Sequence, residues 1–128
     1  MSPDLASRMV ARHPVLPAMP YDTAIGDRRI ECGDGWYDLI DETLTAIEKH
    51  CAANGSNLPA ITQIKERFGL LRVYFRPWDD AIRQILDAAE QKSATCCEKC
   101  GRSGKIMSRP SLRVTCGSDH DDGREWRT

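Results

Sequence analysis

The sequence has no apolar run approaching the roughly 18 residues needed to cross a bilayer. Its start, MSPDLASRMVARHP, carries Asp4, Arg8 and Arg12 where a signal peptide would need an apolar core. A soluble, cytoplasmic protein with no membrane partner is therefore expected. Charge of one sign is equally scarce: 18 Lys and Arg face 19 Asp and Glu, a formal net charge of −1. That balance gives no global pull toward nucleic acid or an anionic membrane, so any such binding must come from a local patch. No internal repeat is visible, and no Gly-x-Ser-x-Gly, phosphate-binding Gly-x4-Gly-Lys or dinucleotide glycine fingerprint occurs. Gly33-Asp34-Gly35 is too short to cradle phosphate and reads as a helix start.

At 128 residues, one domain is expected, and 41% hydrophobic against 29% charged residues disfavours wholesale disorder. Ser2-Pro3-Asp4 reads as a helix start, with Ser2 as cap, and that helix ends before Pro14. From Pro14 to Gly35, three prolines and three glycines interrupt any period. Residues 1–35 thus read as a short helix and an irregular arm.

The clearest helix opens at Asp34-Gly35-Trp36. Trp36, Leu39, Ile40, Leu44, Ile47 and Cys51 form its apolar stripe, and Asn54-Gly55 ends it. Asp38, Asp41, Glu42, Glu48 and Lys49 fall on the exposed side. Ile61–Arg67 and Leu70–Phe75 read as a hairpin turning at Gly69, the alternative being a helical turn through Gln63–Phe68. A second helix follows Pro77-Trp78-Asp79-Asp80, with Trp78, Ala81, Ile82, Ile85, Leu86 and Ala89 on one face to about Lys92. The expected class is α+β. Two amphipathic helices pack on a β-hairpin in residues 36–95, followed by a zinc knuckle in 96–120 and a tail in 121–128.

Six cysteines are the informative excess, because in a reducing compartment they are more often ligands, reactive thiols or small apolar residues than disulfides. Cys51 reads as buried packing, and His50 beside it points elsewhere on the helix. Cys32 is open between core packing and an exposed thiol. Cys97-Glu98-Lys99-Cys100-Gly101 is a C-x-x-C knuckle, and Cys116 with His120 offers a second pair. Two pairs of soft and borderline donors match structural zinc, expected on Cys97, Cys100, Cys116 and His120. Cys96 could replace Cys97 or complete a four-cysteine set, and Asp119 is a weaker oxygen donor.

A catalytic zinc would need an open position and a general base. The deaminase signature and His-Glu-x-x-His are both absent. Asp119-His120-Asp121-Asp122 invites a nuclease reading, but too little chain follows to supply the remaining members. A non-enzymatic protein is expected. Between Cys96 and Cys116 stand Lys99, Arg102, Lys105, Arg109 and Arg113 against Glu98 alone, a formal +4 before any metal. Such a loop could meet phosphate or an acidic protein surface. Lys65, Arg67, Arg72 and Arg76 beside Tyr74 could extend that basic surface.

Glu31-Cys-Gly-Asp-Gly-Trp-Tyr-Asp-Leu-Ile-Asp41, Ile61-Thr-Gln-Ile-Lys-Glu-Arg-Phe-Gly-Leu-Leu-Arg-Val-Tyr-Phe75 and Cys97-Glu-Lys-Cys-Gly101 occur in this order. In this the chain resembles a group of small phage and prophage proteins that lack an assigned general function. The resemblance covers about residues 3 to 120. The group has Phe-Gly-Gly-Leu-Arg where this chain has Phe68-Gly69-Leu70-Leu71-Arg72, and Cys-x-x-His where it has Cys116-x-x-x-His120. The resemblance implies a small accessory protein in a bacterial host's cytoplasm that acts by binding a host complex, an anti-CRISPR or other counter-defence protein. The alternative is a nucleic-acid-binding zinc module using the basic loop 99–113.

Overall fold

The structure, a computed structural model, describes residues 1–16, 29–107 and 113–116. Helix α1 spans Pro3–Arg12 and starts as its first residues dictate. The Ser2 side chain accepts the Leu5 amide at 3.4 Å, Pro3 needs no amide partner, and Asp4 sits at the positive end. Ala6 and Met9 are its buried residues, and the helix ends at His13 ahead of Pro14.

Helix α2, Tyr37–Asn54, is preceded by a tight turn at Asp34–Trp36 and stopped by left-handed Gly55. The expected stripe is buried, and Thr43 joins it by donating its hydroxyl to the Leu39 carbonyl at 2.7 Å. Two residues assigned to the exposed side differ. Asp41 and Glu48 are only about one-fifth exposed, because α1 packs along that side of α2 and aims His13 at both.

Strands β2 (Ala60–Arg67) and β3 (Leu70–Arg76) form the expected antiparallel hairpin. Its turn places Phe68 and Gly69 at φ 53° and 85°, the two positive values a tight hairpin turn needs. Lys65 lies opposite Arg72 and Gln63 opposite Tyr74, with an irregularity between Ile61 and Gln63. Inside the segment read as irregular, Ile30–Glu31 forms a parallel edge strand, β1, on β2. Two residues are too short to show any period, so only the neighbouring β2 reveals them. The rest of that arm, residues 17–28, lies outside the described residues.

Helix α3 spans Asp80–Ser93, and the Asp79 carboxylate caps it by accepting the Ile82 amide at 3.0 Å. This corrects the place of Trp78. The helix begins after it, so its ring is 66% exposed and stacks on Phe75 with centroids 5.7 Å apart. The helices cover one face of the three-stranded sheet. Ile61, Ile64, Leu71 and Val73 meet Leu39, Ile40, Leu44, Ile47, Ile82 and Leu86 in one buried cluster, to which Val15 and Leu16 also belong. Among the described residues no helix is long and apolar enough to cross a membrane. After α3 the chain forms a second, two-stranded antiparallel sheet from β4 (Lys105–Met107) and β5 (Arg113–Thr115).

Candidate metal centre

The knuckle is built by backbone hydrogen bonds at the end of α3. Cys97 donates its amide to the Arg102 carbonyl at 2.7 Å, and Gly101, at φ 81°, donates to the Cys97 carbonyl at 2.8 Å. The left-handed glycine lets the chain reverse after Cys100, which turns both cysteine side chains to one side. Glu98 donates its amide to the Val114 carbonyl at 3.0 Å, tying β5 to the knuckle and delivering Cys116 just beyond the strand.

The sulfurs of Cys97, Cys100 and Cys116 all lie within 4.8 Å of one another, with Cys100 and Cys116 at 3.5 Å. A tetrahedral zinc with bonds of about 2.3 Å needs sulfurs about 3.8 Å apart, so the three could grip one ion after small adjustments. Cys97 is buried, Cys116 half-buried and Cys100 exposed, leaving the group at the surface of a buried anchor. Cys96 is not part of this group. Its thiol faces the carbonyls of Gly35 at 3.7 Å and Gly101 at 3.6 Å. Burial, with Cys97, Asp38 and Glu42 nearby, raises that thiol above its ordinary value, so it keeps the proton it would donate to them. His120 and Asp119, expected as further donors, lie outside the described residues, as does Arg109. Lys105 and Arg113 fall on β4 and β5, whereas Lys99 is half-buried and Arg102 is exposed at the knuckle's turn.

The knuckle is also seated on the start of α2, which sequence reasoning missed. The Glu98 side chain, 3% exposed, turns inward and accepts the Gly33 amide at 2.8 Å. Its backbone carbonyl accepts the Gly35 amide at 2.7 Å, and the Trp36 indole donates to the Cys96 carbonyl at 2.9 Å. Both glycines are required by close approach. A Cβ at Gly35 would collide with the Cys97 carbonyl and sit 2.6 Å from the amide nitrogens of Cys100 and Gly101. One at Gly33 would collide with the Glu98 carbonyl. The Gly-x-Gly before Trp36 is thus a seat for another backbone. Two glycines at i and i+2 on the entry to a strongly periodic helix were the available signal.

A second polar cluster, far apart in sequence, joins α1 to α2. His13 is 2% exposed, with Nδ1 3.0 Å from Glu48 Oε1 and Nε2 2.6 Å from Asp41 Oδ1. Arg12 adds a two-point contact to Asp41 at 3.0 and 3.2 Å. Burial works against the Asp41 carboxylate, but hydrogen bonds from His13 and Arg12 outweigh it and hold this acid below its ordinary value. His50 contacts Asn54 at 3.3 Å. Neither described histidine is paired with a cysteine. Cys32 is buried, and burial pushes its thiol up to about 12.

No protein-family model, curated protein or solved structure matches the chain. Its function must be argued from the three-sulfur group and the surfaces around it.

Proposed function

We propose that the chain is a non-enzymatic binding protein whose C-terminal segment is clasped by one structural zinc ion. The observation that carries this reading is the grouping of Cys116, just beyond β5, with Cys97 and Cys100 of a knuckle whose backbone is spent on holding the start of α2. Thiolate donors favour zinc over harder cations, and His120 is the proposed fourth ligand. The role is structural because the residues around the sulfurs hold the fold together: Glu98 seats Gly33 and Gly35, and Cys96 meets Trp36. His13 is committed to Asp41 and Glu48, away from the sulfurs.

The resemblance to small phage and prophage proteins supplies the setting. In it the protein binds and modulates a host complex in the bacterial cytoplasm, as an anti-CRISPR or other counter-defence factor. A tagged chain should capture a defined host protein from lysate of its host at moderate salt. Capture of nucleic acid alone, or of nothing, would count against this reading.

One observation favours a second reading, a nucleic-acid module using the loop 99–113. Glu98, the sole acid between Cys96 and Cys116, is turned inward to Gly33, so the cations of Lys99, Arg102, Lys105, Arg109 and Arg113 dominate the charge of this stretch. There Arg102→Ala should weaken a mobility shift and reduce its salt dependence.

A further inference from the structure

We propose that the face of the β2–β3 hairpin on which none of the described helices packs is a binding surface for single-stranded nucleic acid. Among the described residues, helices pack on the side of the sheet where Ile61, Ile64, Leu71 and Val73 are buried. The alternate positions put Lys65, Arg67, Arg72, Tyr74 and Arg76 on the other side, with same-face neighbours about 7 Å apart along each strand. The register sets Lys65 directly across from Arg72. Like charges placed opposite one another repel, so the Lys65–Arg72 pairing does not by itself stabilise the hairpin.

Two described acids reach this face, and each is engaged. Glu90 reaches over from α3 to Arg72 at 2.7 Å, and Glu31, which the β1–β2 register sets beside Lys65, accepts from Gln63 at 3.0 Å. Among the described residues no ion pair engages Lys65, Arg67 or Arg76. An exposed pair such as Arg72 with Glu90 is weak enough to exchange its carboxylate for a phosphate.

Aromatic rings sit among these cations. Tyr74 is 40% exposed and Phe68 68% exposed. Arg67 links them, donating to the Tyr74 hydroxyl at 3.4 Å while its guanidinium lies 5.4 Å from the Phe68 ring centroid. Phe68 is the more telling residue. It holds φ 53° in a turn where Asn or Gly is ordinary, and it adds nothing to the core. A bulky ring kept in a strained and exposed position points to a task outside the fold.

Cations flanking exposed rings suit a strand whose phosphates meet guanidinium groups and whose unpaired bases stack on Tyr74 and Phe68. Duplex bases are already stacked, and an acidic protein would need the cations alone. The surface lies on β2 and β3 and does not depend on the zinc loop.

The test is fluorescence anisotropy of a labelled oligomer of about 20 thymidines with the full-length protein as purified. Three to four phosphate contacts give a log–log salt slope of about −2 to −3, so raising salt from roughly 50 to 200 mM should weaken binding about 20- to 60-fold. Arg67→Ala with Arg76→Ala should lower that slope by about 1.4. Phe68→Gly should weaken binding about 5-fold or more with the slope unchanged, while relieving the turn and raising the melting temperature. Tyr74→Ala should also weaken binding with the slope unchanged. Four results would overturn the proposal: no binding at low salt; equal affinity for a duplex; displacement by polyglutamate with the ring variants unaffected; or loss through Arg102→Ala while the hairpin variants bind normally.

Discussion

Gly35→Ala should undo the seating of the knuckle while leaving the helical stripe intact. The three atoms nearest a Cβ at position 35 are all backbone: the Cys97 carbonyl and the amides of Cys100 and Gly101, the latter two at 2.6 Å. No flexible side chain can yield, so the knuckle must lift away. Lifting it breaks the Gly35–Glu98 bond at 2.7 Å, the Trp36–Cys96 bond at 2.9 Å and the Gly33–Glu98 carboxylate bond at 2.8 Å. Two neutral bonds at about 1 kcal/mol each and one to a charged acceptor at about 2 give a loss of about 4 kcal/mol. That is a large share of the roughly 5–15 kcal/mol typical of a domain. Gly55→Ala is the control. Gly55 is left-handed at φ 62°, and a Cβ added there would meet nothing within 4 Å, so only backbone strain of about 1–2 kcal/mol applies. Urea titration of both variants, with amide exchange read at Cys97–Gly101, separates the two effects. A Gly35→Ala protein within about 1 kcal/mol of the parent, with those amides as protected as before, would refute the seating of the knuckle on Gly35.

Three further outcomes follow from the core. His13→Ala removes the ring that contacts both the Asp41 and Glu48 carboxylates, each about one-fifth exposed, and should cost about 3 kcal/mol near neutral pH by urea titration. Because the folded state holds the Asp41 carboxyl low, its stabilisation is present above the ordinary carboxylate range of about 4 and lost as pH falls through the lower folded value. The parent and His13→Ala curves should therefore converge below about pH 4, and a constant gap would contradict the cluster's role. Ser93→Ala orphans the buried Leu71 amide, which the Ser93 hydroxyl accepts at 3.0 Å, and should cost about 1–3 kcal/mol in the same assay. Cys32, its thiol pushed up to about 12 by burial, should resist alkylation at about pH 8 in the folded protein and react once urea unfolds it.

Elements held by local patterning were legible in the sequence. The 3.6-residue stripe of α2 and the β-branched run ending at Phe68-Gly69 placed their boundaries within about a residue of those observed. What was not legible depends on partners distant in the chain. Ile30–Glu31 becomes a strand only because Ile64 and Lys65 offer a free edge. His13 becomes buried only because α1 crosses Asp41 and Glu48. Trp78 shows a local competition instead, since Asp79 makes the better cap and leaves the ring outside the helix. At the candidate site, C-x-x-C spacing singled out Cys97 and Cys100, and Cys116 entered as half of a second pair with His120. Spacing favoured Cys97 but left Cys96 as an alternative, because the choice turns on the Cys97–Arg102 and Cys97–Gly101 backbone bonds, while the Cys96 thiol faces Gly35.

Native mass spectrometry of the 128-residue chain, purified without added metal, tests the central claim most directly. One zinc per chain is the expected result, removed together with β4–β5 amide protection by chelator and missing in Cys97→Ser. A metal-free chain, or one carrying a Cys100–Cys116 disulfide and two hydrogens lighter, would contradict it.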